Sequence, residues 1–232
     1  MKENVPLSAY TTLRVGGPAR YFFVARTVDD IKMAVAFAKE KNVPLFVLGG
    51  GSNILVSDEG FPGVVIKNEI PGIAYEELGG NRVRVTAGAG VVWDDLVADT
   101  VARGLWGMEN LSGITGMVGA APIQNINAYG AHLENAVESV QSFDIATRSV
   151  RTMSKEECGF RYRYSIFKKN DTLVVVRVTF VLSCEGKADL SYKDLEKYFV
   201  RKRITGPTLR QIREAVMSIR TGKLPNVKQV GT

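Results

Sequence analysis

The sequence predicts an α+β fold made of two adjacent strand-and-helix units, and three observations carry this prediction. The chain has 232 residues, 45% hydrophobic and 23% charged, which is enough apolar material for one large or two modest domains. Strand-like runs and helical periodicity alternate between residues 20 and 67, and the alternation starts again near residue 71. An amphipathic helix follows the last strand. We therefore expect two closely coupled domains.

The first unit is predicted as a strand, a helix and two further strands. Residues 20–24 have the pattern of a strand, and Thr27 then stands where a helix N-cap is expected. Pro44 ends that helix. Buried strands follow at residues 45–48 and 63–67.

The second unit begins with a half-exposed strand at residues 82–86 and a helix with Trp93 on its inner face and Gly104 at its C-terminal end. Further strands are predicted at 137–145, 150–153 and 173–182. A last helix follows the cap Thr208. Residues 111–130 show neither the periodicity of a helix nor that of a strand. They are too rich in Gly and Ala for a core strand and too apolar for a disordered loop.

The charge of the chain is uneven. Net charge is +6, but residues 193–232 hold ten Lys or Arg against three Asp or Glu. A solvated helix face near an anionic small molecule fits this segment better than a nucleic-acid tail, because Tyr198 and Phe199 are its only aromatics. No stretch reaches the roughly 18 apolar residues of a membrane span. We expect a cytoplasmic protein with no nucleic-acid, membrane or obligate protein partner.

Several chemistries have little support in the sequence. Cys158 and Cys184 lie outside any metal-ligand spacing, and we expect both to be reduced and structural. His132 is the single histidine, which disfavours a histidine metal site and a Ser-His or Cys-His triad. No metal site is expected.

The turn LGGGSN follows the strand at residues 45–48. Bare N–H groups of Gly49, Gly50 and Gly51, with the Ser52 hydroxyl and the Asn53 amide, are the equipment of an anion-binding concavity. No Gly-Lys-Ser/Thr follows, so this is not a P-loop. The residues alone leave two interpretations open, a phosphate site and a tight turn.

A second segment that is poor in side chains runs from Ser112 to Gly130. Its small residues are Gly113, Gly116, Gly119, Ala120 and Ala121. Gln124, Asn125 and Tyr129 add polar groups where a flat ligand could be held. The alternative is a close crossing of helices or strands. Two such segments in adjacent units fit a long dinucleotide better than two unrelated packing sites.

Basic and aromatic residues alternate between Cys158 and Lys168. On a strand, Arg161 and Arg163 would share one face, which makes an amphipathic edge one interpretation. A carboxylate site is the other, because arginine binds carboxylates bidentately.

Together these motifs resemble the UDP-N-acetylenolpyruvoylglucosamine reductases, the MurB family of flavoenzymes. The resemblance runs in order through TTLRVGGPA (11–19), LGGGSN (48–53), VTAGAGVVWDDLV (85–97), GMENLSGITGMVGAAPIQNINAYG (107–130), CGFRYRYSIFK (158–168), LSYKDL (190–195) and IRTGKLPN (219–226). It implies an FAD-binding domain of the vanillyl-alcohol-oxidase/PCMH type, with subdomains at 1–68 and 69–206 and a helix and linker at 207–232.

The resemblance also implies the cofactors and the roles of residues. FAD would lie between the subdomains, against Gly49, Gly50, Gly51, Ser52, Asn53, Gly113, Gly116, Gly119, Ala120, Ala121, Ile123, Asn125, Tyr129 and Gly130. NADPH would reduce FAD, and the substrate would be UDP-N-acetylglucosamine-enolpyruvate, giving UDP-N-acetylmuramate for peptidoglycan. Arg163 would be catalytic, because a fixed guanidinium stabilises enolate-like charge. Implied substrate contacts are Tyr162, Tyr192, Arg220 and Lys223.

The sequence departs from the family pattern at several points. Tyr164 stands where the family has Asp or Asn, Thr115 where it has Pro, and Asn127 where it has Gly. We expect Asn127 to keep the turn, because Asn tolerates positive φ. Family members continue past the KLP motif to a Ser that protonates the enolate and to a substrate-binding domain with a catalytic Glu. This chain stops at Gly231-Thr232. We expect either a fragment or a short form without that acid, for which flavin or nucleotide binding without turnover is the alternative function.

Overall fold

The computed structural model describes residues 1–225. Within that range the first sheet has four strands: β1 (Lys2–Pro6), β2 (Pro18–Ala25), β3 (Leu45–Leu48) and β4 (Phe61–Asn68). Their spatial order is β1-β2-β4-β3; β4 pairs parallel with β2 and β3, and β1 pairs antiparallel at the edge. The three strands predicted for the first unit are confirmed. β1 was not predicted, because four of its five residues are exposed.

A helix connects the first two parallel strands of this sheet. α1 (Val28–Glu40) begins with a capping box, in which Thr27 Oγ1 accepts from Asp30 N at 3.1 Å and Asp30 Oδ2 accepts from Thr27 N at 2.9 Å. The predicted helix and its cap are confirmed. β3 and β4 then run side by side in parallel, which places Leu48 opposite Lys67 at the point where the glycine turn begins.

The remaining strands are β5 (Ile73–Gly79), β6 (Arg82–Gly88), β7 (Asn127–Ala128), β8 (Ala131–His132), β9 (Val137–Asp144), β10 (Ser149–Ser154) and β11 (Leu173–Ser183). Five form an antiparallel sheet in the order β10-β9-β11-β6-β5, and β7 and β8 form a separate hairpin. The four strands predicted for the second unit are confirmed. β5 was missed, because it is an edge strand without a buried residue.

Three further α-helices lie in the described residues: α2 (Trp93–Ala102), α3 (Lys193–Lys202) and α4 (Leu209–Lys223). α2 ends before Gly104, which has a φ of +74°, and Thr208 is the N-cap of α4, where it forms a second capping box. Both helices are confirmed predictions. α3 was missed, because only Leu195 and Phe199 of its ten residues are buried.

The two sheets share a core. Val64 and Ile66 of β4 and Ile31 of α1 pack in one cluster with Phe143 and Val174 of the second sheet. All strands of the first sheet lie within residues 1–68 and those of the second within 69–206, whereas the proposed subdomain division itself stays a prediction. α4 packs on both α2 and α3. Residues 226–232 of the predicted linker, which include Asn226 of the IRTGKLPN motif and Gly231-Thr232, lie outside the described residues.

The two cysteines have different environments, although neither forms a disulfide in the described chain. Cys158 is buried, and burial raises the pKa of its thiol to about 12. Cys184 is exposed, so burial supports the structural expectation for Cys158 alone. No helix within residues 1–225 has the length and apolar character needed to cross a membrane.

Candidate functional site

The two glycine-rich segments meet backbone to backbone. A Cβ added to Gly50 would lie 3.0 Å from the Cα of Gly116, and one added to Gly116 would lie 3.3 Å from Ser52 Oγ. At Gly49, an added Cβ would lie 3.6 Å from the Cβ of Ala120. We call this contact, between Gly49–Ser52 and Gly116–Ala120, the glycine interface. The fold therefore joins two signals that stand more than 60 residues apart in the sequence.

Other glycines of these segments pack against the protein itself. A Cβ on Gly51, where φ is +65°, would lie 2.0 Å from the carbonyl oxygen of Tyr10, and Gly51 O accepts from Thr12 N at 3.0 Å. A Cβ on Gly119 would lie 2.6 Å from the Cβ of Ala89, and the Gly119 N–H donates to Ala89 O at 2.9 Å. The tight-turn interpretation therefore holds at Gly51, and the close-crossing interpretation holds at Gly119.

A buried lysine, which sequence reasoning missed, lies beside the turn. Lys67 is 7% exposed, and its Nζ donates to the carbonyl oxygen of Gly49 at 2.6 Å. Burial lowers the pKa of Lys67, and Glu69 opposes this shift from a distance. The available signal was a lysine at the end of the apolar run VVIKN.

Gly113 is held by two helices. Its N–H donates to Asp94 Oδ1 of α2 at 2.6 Å, and Arg213 of α4 donates to both Asp94 oxygens, at 2.6 and 2.8 Å. A Cβ on Gly113 would lie 2.7 Å from Met217 Sδ of α4. Burial, the largest effect, raises the pKa of Asp94, but the hydrogen bonds from Arg213 and Gly113 outweigh it, and the pKa lies below its usual value. α4 thus contributes directly to the second glycine-rich segment.

Asn125 is fully buried, and both ends of its side-chain amide are used within the protein. Nδ2 donates to Arg161 O at 3.0 Å, and Oδ1 accepts from Glu134 N at 3.1 Å. Ser165 is also buried, and its hydroxyl donates to Ile123 O at 2.9 Å. These bonds fasten the residues around Arg161 to the second glycine-rich segment.

Residues 161–164 form a turn, so the amphipathic-edge interpretation does not hold there. The backbone N–H of Arg161 donates to Tyr164 O at 3.0 Å, and that of Tyr164 donates to Arg161 O at 3.1 Å, while Arg163 has a φ of +52°. The chain reverses direction within four residues, which a strand cannot do. Arg163 and its neighbour Tyr162, which is 77% exposed, project at the tip of the turn.

The β7–β8 hairpin carries its positive φ values at Tyr129 (+49°) and Gly130 (+84°). Asn127 lies in β7 without a positive φ, so the expectation that it keeps the turn is wrong. Two consecutive residues with positive φ match a tight two-residue hairpin. Among the other predicted site residues, Ala121 is buried in the core and Asn53 is exposed.

Three predicted substrate residues lie close to Tyr129. The rings of Tyr129 and Tyr192 meet edge to face with centroids 5.0 Å apart, and Lys223 forms an ion pair with Asp194. Burial raises the pKa of Tyr129, and the nearby charges of Arg220 and Lys223 oppose this. We call Tyr129, Tyr192, Arg220 and Lys223 the aromatic–basic corner. A cavity of about 310 Å³ between the β7–β8 hairpin and Tyr192 opens there.

Comparison with known proteins places this geometry among flavoenzymes. A family model described as an FAD binding domain matches residues 19–152. UDP-N-acetylenolpyruvoylglucosamine reductase of Saccharopolyspora erythraea is 43% identical over 94% of this chain and 60% of its own length. The reductase of Ralstonia nicotianae is 40% identical over 100% of this chain and 69% of its own length. The crystal structure of the Thermus caldophilus reductase (MurB) aligns with a TM-score of 0.70 at 30% identity, covering 97% of this chain and 71% of that one.

The matched range contains both sides of the glycine interface. The chain spans between 60% and 71% of the length of these three relatives. The activity of a whole relative is therefore not carried over with the match.

Proposed function

Because the chain belongs to the UDP-N-acetylenolpyruvoylglucosamine reductase (MurB) family and carries its FAD-binding domain, we propose that it holds FAD for the NADPH-dependent reduction of UDP-N-acetylglucosamine-enolpyruvate to UDP-N-acetylmuramate. The family and the α+β fold of the vanillyl-alcohol-oxidase/PCMH type, both expected from the motifs, are confirmed. The observation that carries the proposal is the glycine interface, where the backbone of the turn after β3 meets the glycine backbone of the second glycine-rich segment.

The residues at this interface fit an extended dinucleotide. The turn at Gly49–Ser52 offers backbone N–H groups and a hydroxyl, which suit a diphosphate, and the small residues Gly116 and Ala120 of the second segment lie directly beside it. Bound FAD would supply hydride transfer between NADPH and the substrate. The protein's own task is to hold that cofactor in one orientation between the sheets.

Arg163 is proposed to bind the carboxylate of the substrate. Its side chain is exposed at the tip of the 161–164 turn, and the bonds of Asn125 and Ser165 hold this turn against the second glycine-rich segment. A guanidinium in that position stabilises negative charge that develops beside the carboxylate during reduction. Tyr162 stands next to it as a second substrate contact.

The aromatic–basic corner is proposed to contact the UDP part of the substrate. Lys223 already forms an ion pair with Asp194, whereas Arg220 has no ion-pair partner among residues 1–225. Arg220 is therefore the side chain better placed to bind a phosphate, and Tyr192 lines the adjoining cavity.

Two measurements test the proposal in sequence. The purified chain, stripped of nucleotide, is titrated with FAD, and we expect quenching of flavin fluorescence and a thermal shift. A folded chain that shows neither does not bind flavin. The loaded chain is then mixed anaerobically with NADPH and the enolpyruvyl substrate, and UDP-N-acetylmuramate is sought by mass. Flavin binding without product would favour the alternative function, a flavin-binding protein without turnover.

If product forms, Arg163→Lys tests the role of the turn, with Arg161→Lys as its matched control on the same exposed turn. Lysine keeps the charge but loses the bidentate fork, so we expect turnover to fall about 10–100-fold in the first variant, by the size of one charge-assisted contact. Equal turnover in the two variants would remove Arg163 from the proposed chemistry.

A further inference from the structure

A buried ammonium group lies beside the glycine turn, and the proposed function does not yet use it. Lys67 stands near the end of β4, directly opposite Leu48, which is the last residue of β3 before the turn. Its Nζ donates to Gly49 O at 2.6 Å, and the residue is almost completely buried. The side chain thus reaches the turn from the neighbouring strand.

The protein around Lys67 does not neutralise its charge. Within residues 1–225 no carboxylate forms an ion pair with its Nζ, and Glu69 acts on it only from a greater distance. An ammonium group has three N–H donors, and the Gly49 carbonyl accepts from one of them. Burying a charge is costly unless an opposite charge lies close by. A lysine in this state is suited to an anion that a ligand brings.

We propose that Lys67 supplies the positive charge of the glycine turn and binds the diphosphate group of the dinucleotide. This inference rests on the proposed function, in which FAD lies against the glycine interface. The turn alone offers neutral N–H donors and a hydroxyl, whereas Lys67 adds a full charge at a site shielded from solvent and salt. A diphosphate oxygen at the turn would then accept a charge-assisted hydrogen bond, about twice as strong as a neutral one.

A purely structural role would be different in its consequences. Lys67 would then only fasten the ends of β3 and β4 through the Gly49 carbonyl. Its removal would destabilise the empty protein and weaken the binding of FAD and riboflavin alike. A diphosphate-binding lysine instead destabilises the empty protein, because its charge is buried without a counter-charge. Its removal weakens the binding only of ligands that carry the diphosphate.

The test compares Lys67→Met, which keeps the apolar stem, with Lys39→Met, an exposed lysine on α1. Affinities for FAD, ADP and riboflavin are measured, together with the urea stability of the empty protein. In Lys67→Met we expect affinity for FAD and ADP to fall about 10–100-fold, the size of one hydrogen bond to a charged group. Riboflavin binding and the stability of the empty protein should not fall, and Lys39→Met should match the wild type in every measurement.

Unchanged FAD affinity in Lys67→Met, or an equal loss for riboflavin, would overturn the inference and leave the proposed function standing. If the wild-type chain itself does not bind FAD, both are overturned. Should Lys67→Met not fold, Lys67→Arg and Lys67→Gln replace it, since both keep a donor toward Gly49. FAD binding retained by Arg and lost by Gln supports the inference, and equal binding by the two contradicts it.

Discussion

The glycine interface and the aromatic–basic corner are both assembled from distant parts of the chain, but they are built from different atoms. At the interface backbone meets backbone, and a Cβ on Gly50 would lie 3.0 Å from Gly116 Cα. At the corner the contacts join side chains, such as the Tyr129 and Tyr192 rings. Packed backbone has no rotamer with which to make room, whereas partly exposed side chains can rotate. Substitutions should therefore cost more at the interface than at the corner.

The largest effects are expected from alanine substitutions in the glycine turn, graded by position. Gly51→Ala combines a φ of +65° with a 2.0 Å clash against Tyr10 O, and should destabilise the empty protein by about 3 kcal/mol or more. Gly50→Ala meets Gly116 Cα at 3.0 Å and should cost about 1–3 kcal/mol. Gly49→Ala makes an ordinary contact of 3.6 Å and should cost less than both. Urea unfolding measures all three.

The matched control for this series is Gly222→Ala, in α4, where nothing lies within 4 Å of the added Cβ. Alanine should stabilise that helix by about 0.5–1 kcal/mol, because glycine is a poor helix former. Equal losses at Gly49, Gly50 and Gly51 would show that the turn is not tightly packed against its neighbours.

A middle-sized effect is expected where α4 holds the second glycine-rich segment. Arg213→Met removes both hydrogen bonds to Asp94, and since the two side chains are partly exposed we expect a loss of about 1–3 kcal/mol. Because the folded state lowers the pKa of Asp94 below 3.8, this contribution is present above that pH and is lost as the pH falls through the lower, folded value.

Acid unfolding of the wild type, the Arg213→Met variant and an Arg210→Met control measures this pH dependence. Arg210 is exposed one turn earlier on α4. The gap in stability between wild type and Arg213→Met should close below about pH 4, the usual range of an aspartate. A gap that persists unchanged at low pH would mean that the Arg213–Asp94 pair is not its source.

The smallest effects are expected at the aromatic–basic corner. Arg220→Ala should weaken UDP binding about 2–5-fold, in the range of a solvent-screened charge pair, and added salt should reduce the difference. Lys223→Ala should weaken it less, because Asp194 already pairs with that ammonium. Calorimetric titration at two salt concentrations measures both. A larger loss in Lys223→Ala than in Arg220→Ala would reverse the proposed assignment.

The fold was predictable where its signals are local. The Thr27 cap and the apolar face of α1 both lie within one helix, and β11 is a long β-rich run. β1, β5 and α3 were missed because they bury few residues, and they depend on pairing or packing with elements far along the chain. The hydrophobic pattern of a short segment does not show which distant element it pairs or packs with.

The candidate site was predictable where composition marks it. The glycines at Gly49–Ser52 and Gly116–Ala120 stand out in the sequence, and the fold places them together. Lys67 did not stand out, because the burial of one lysine depends on what surrounds β4. An edge strand was one interpretation of residues 161–164, because alternating Arg and aromatic residues imitate a strand. The observed turn was not predicted, because nothing local reveals the positive φ of Arg163.

The central claim is that FAD lies across the glycine interface, against both glycine-rich segments. Hydrogen exchange of backbone amides, measured on the empty chain and at saturating FAD, tests it most directly. We predict that FAD slows exchange in residues 49–53 and in residues 113–120 together, while the edge strand β10 changes little. Bound FAD that leaves either segment unprotected would contradict the claim.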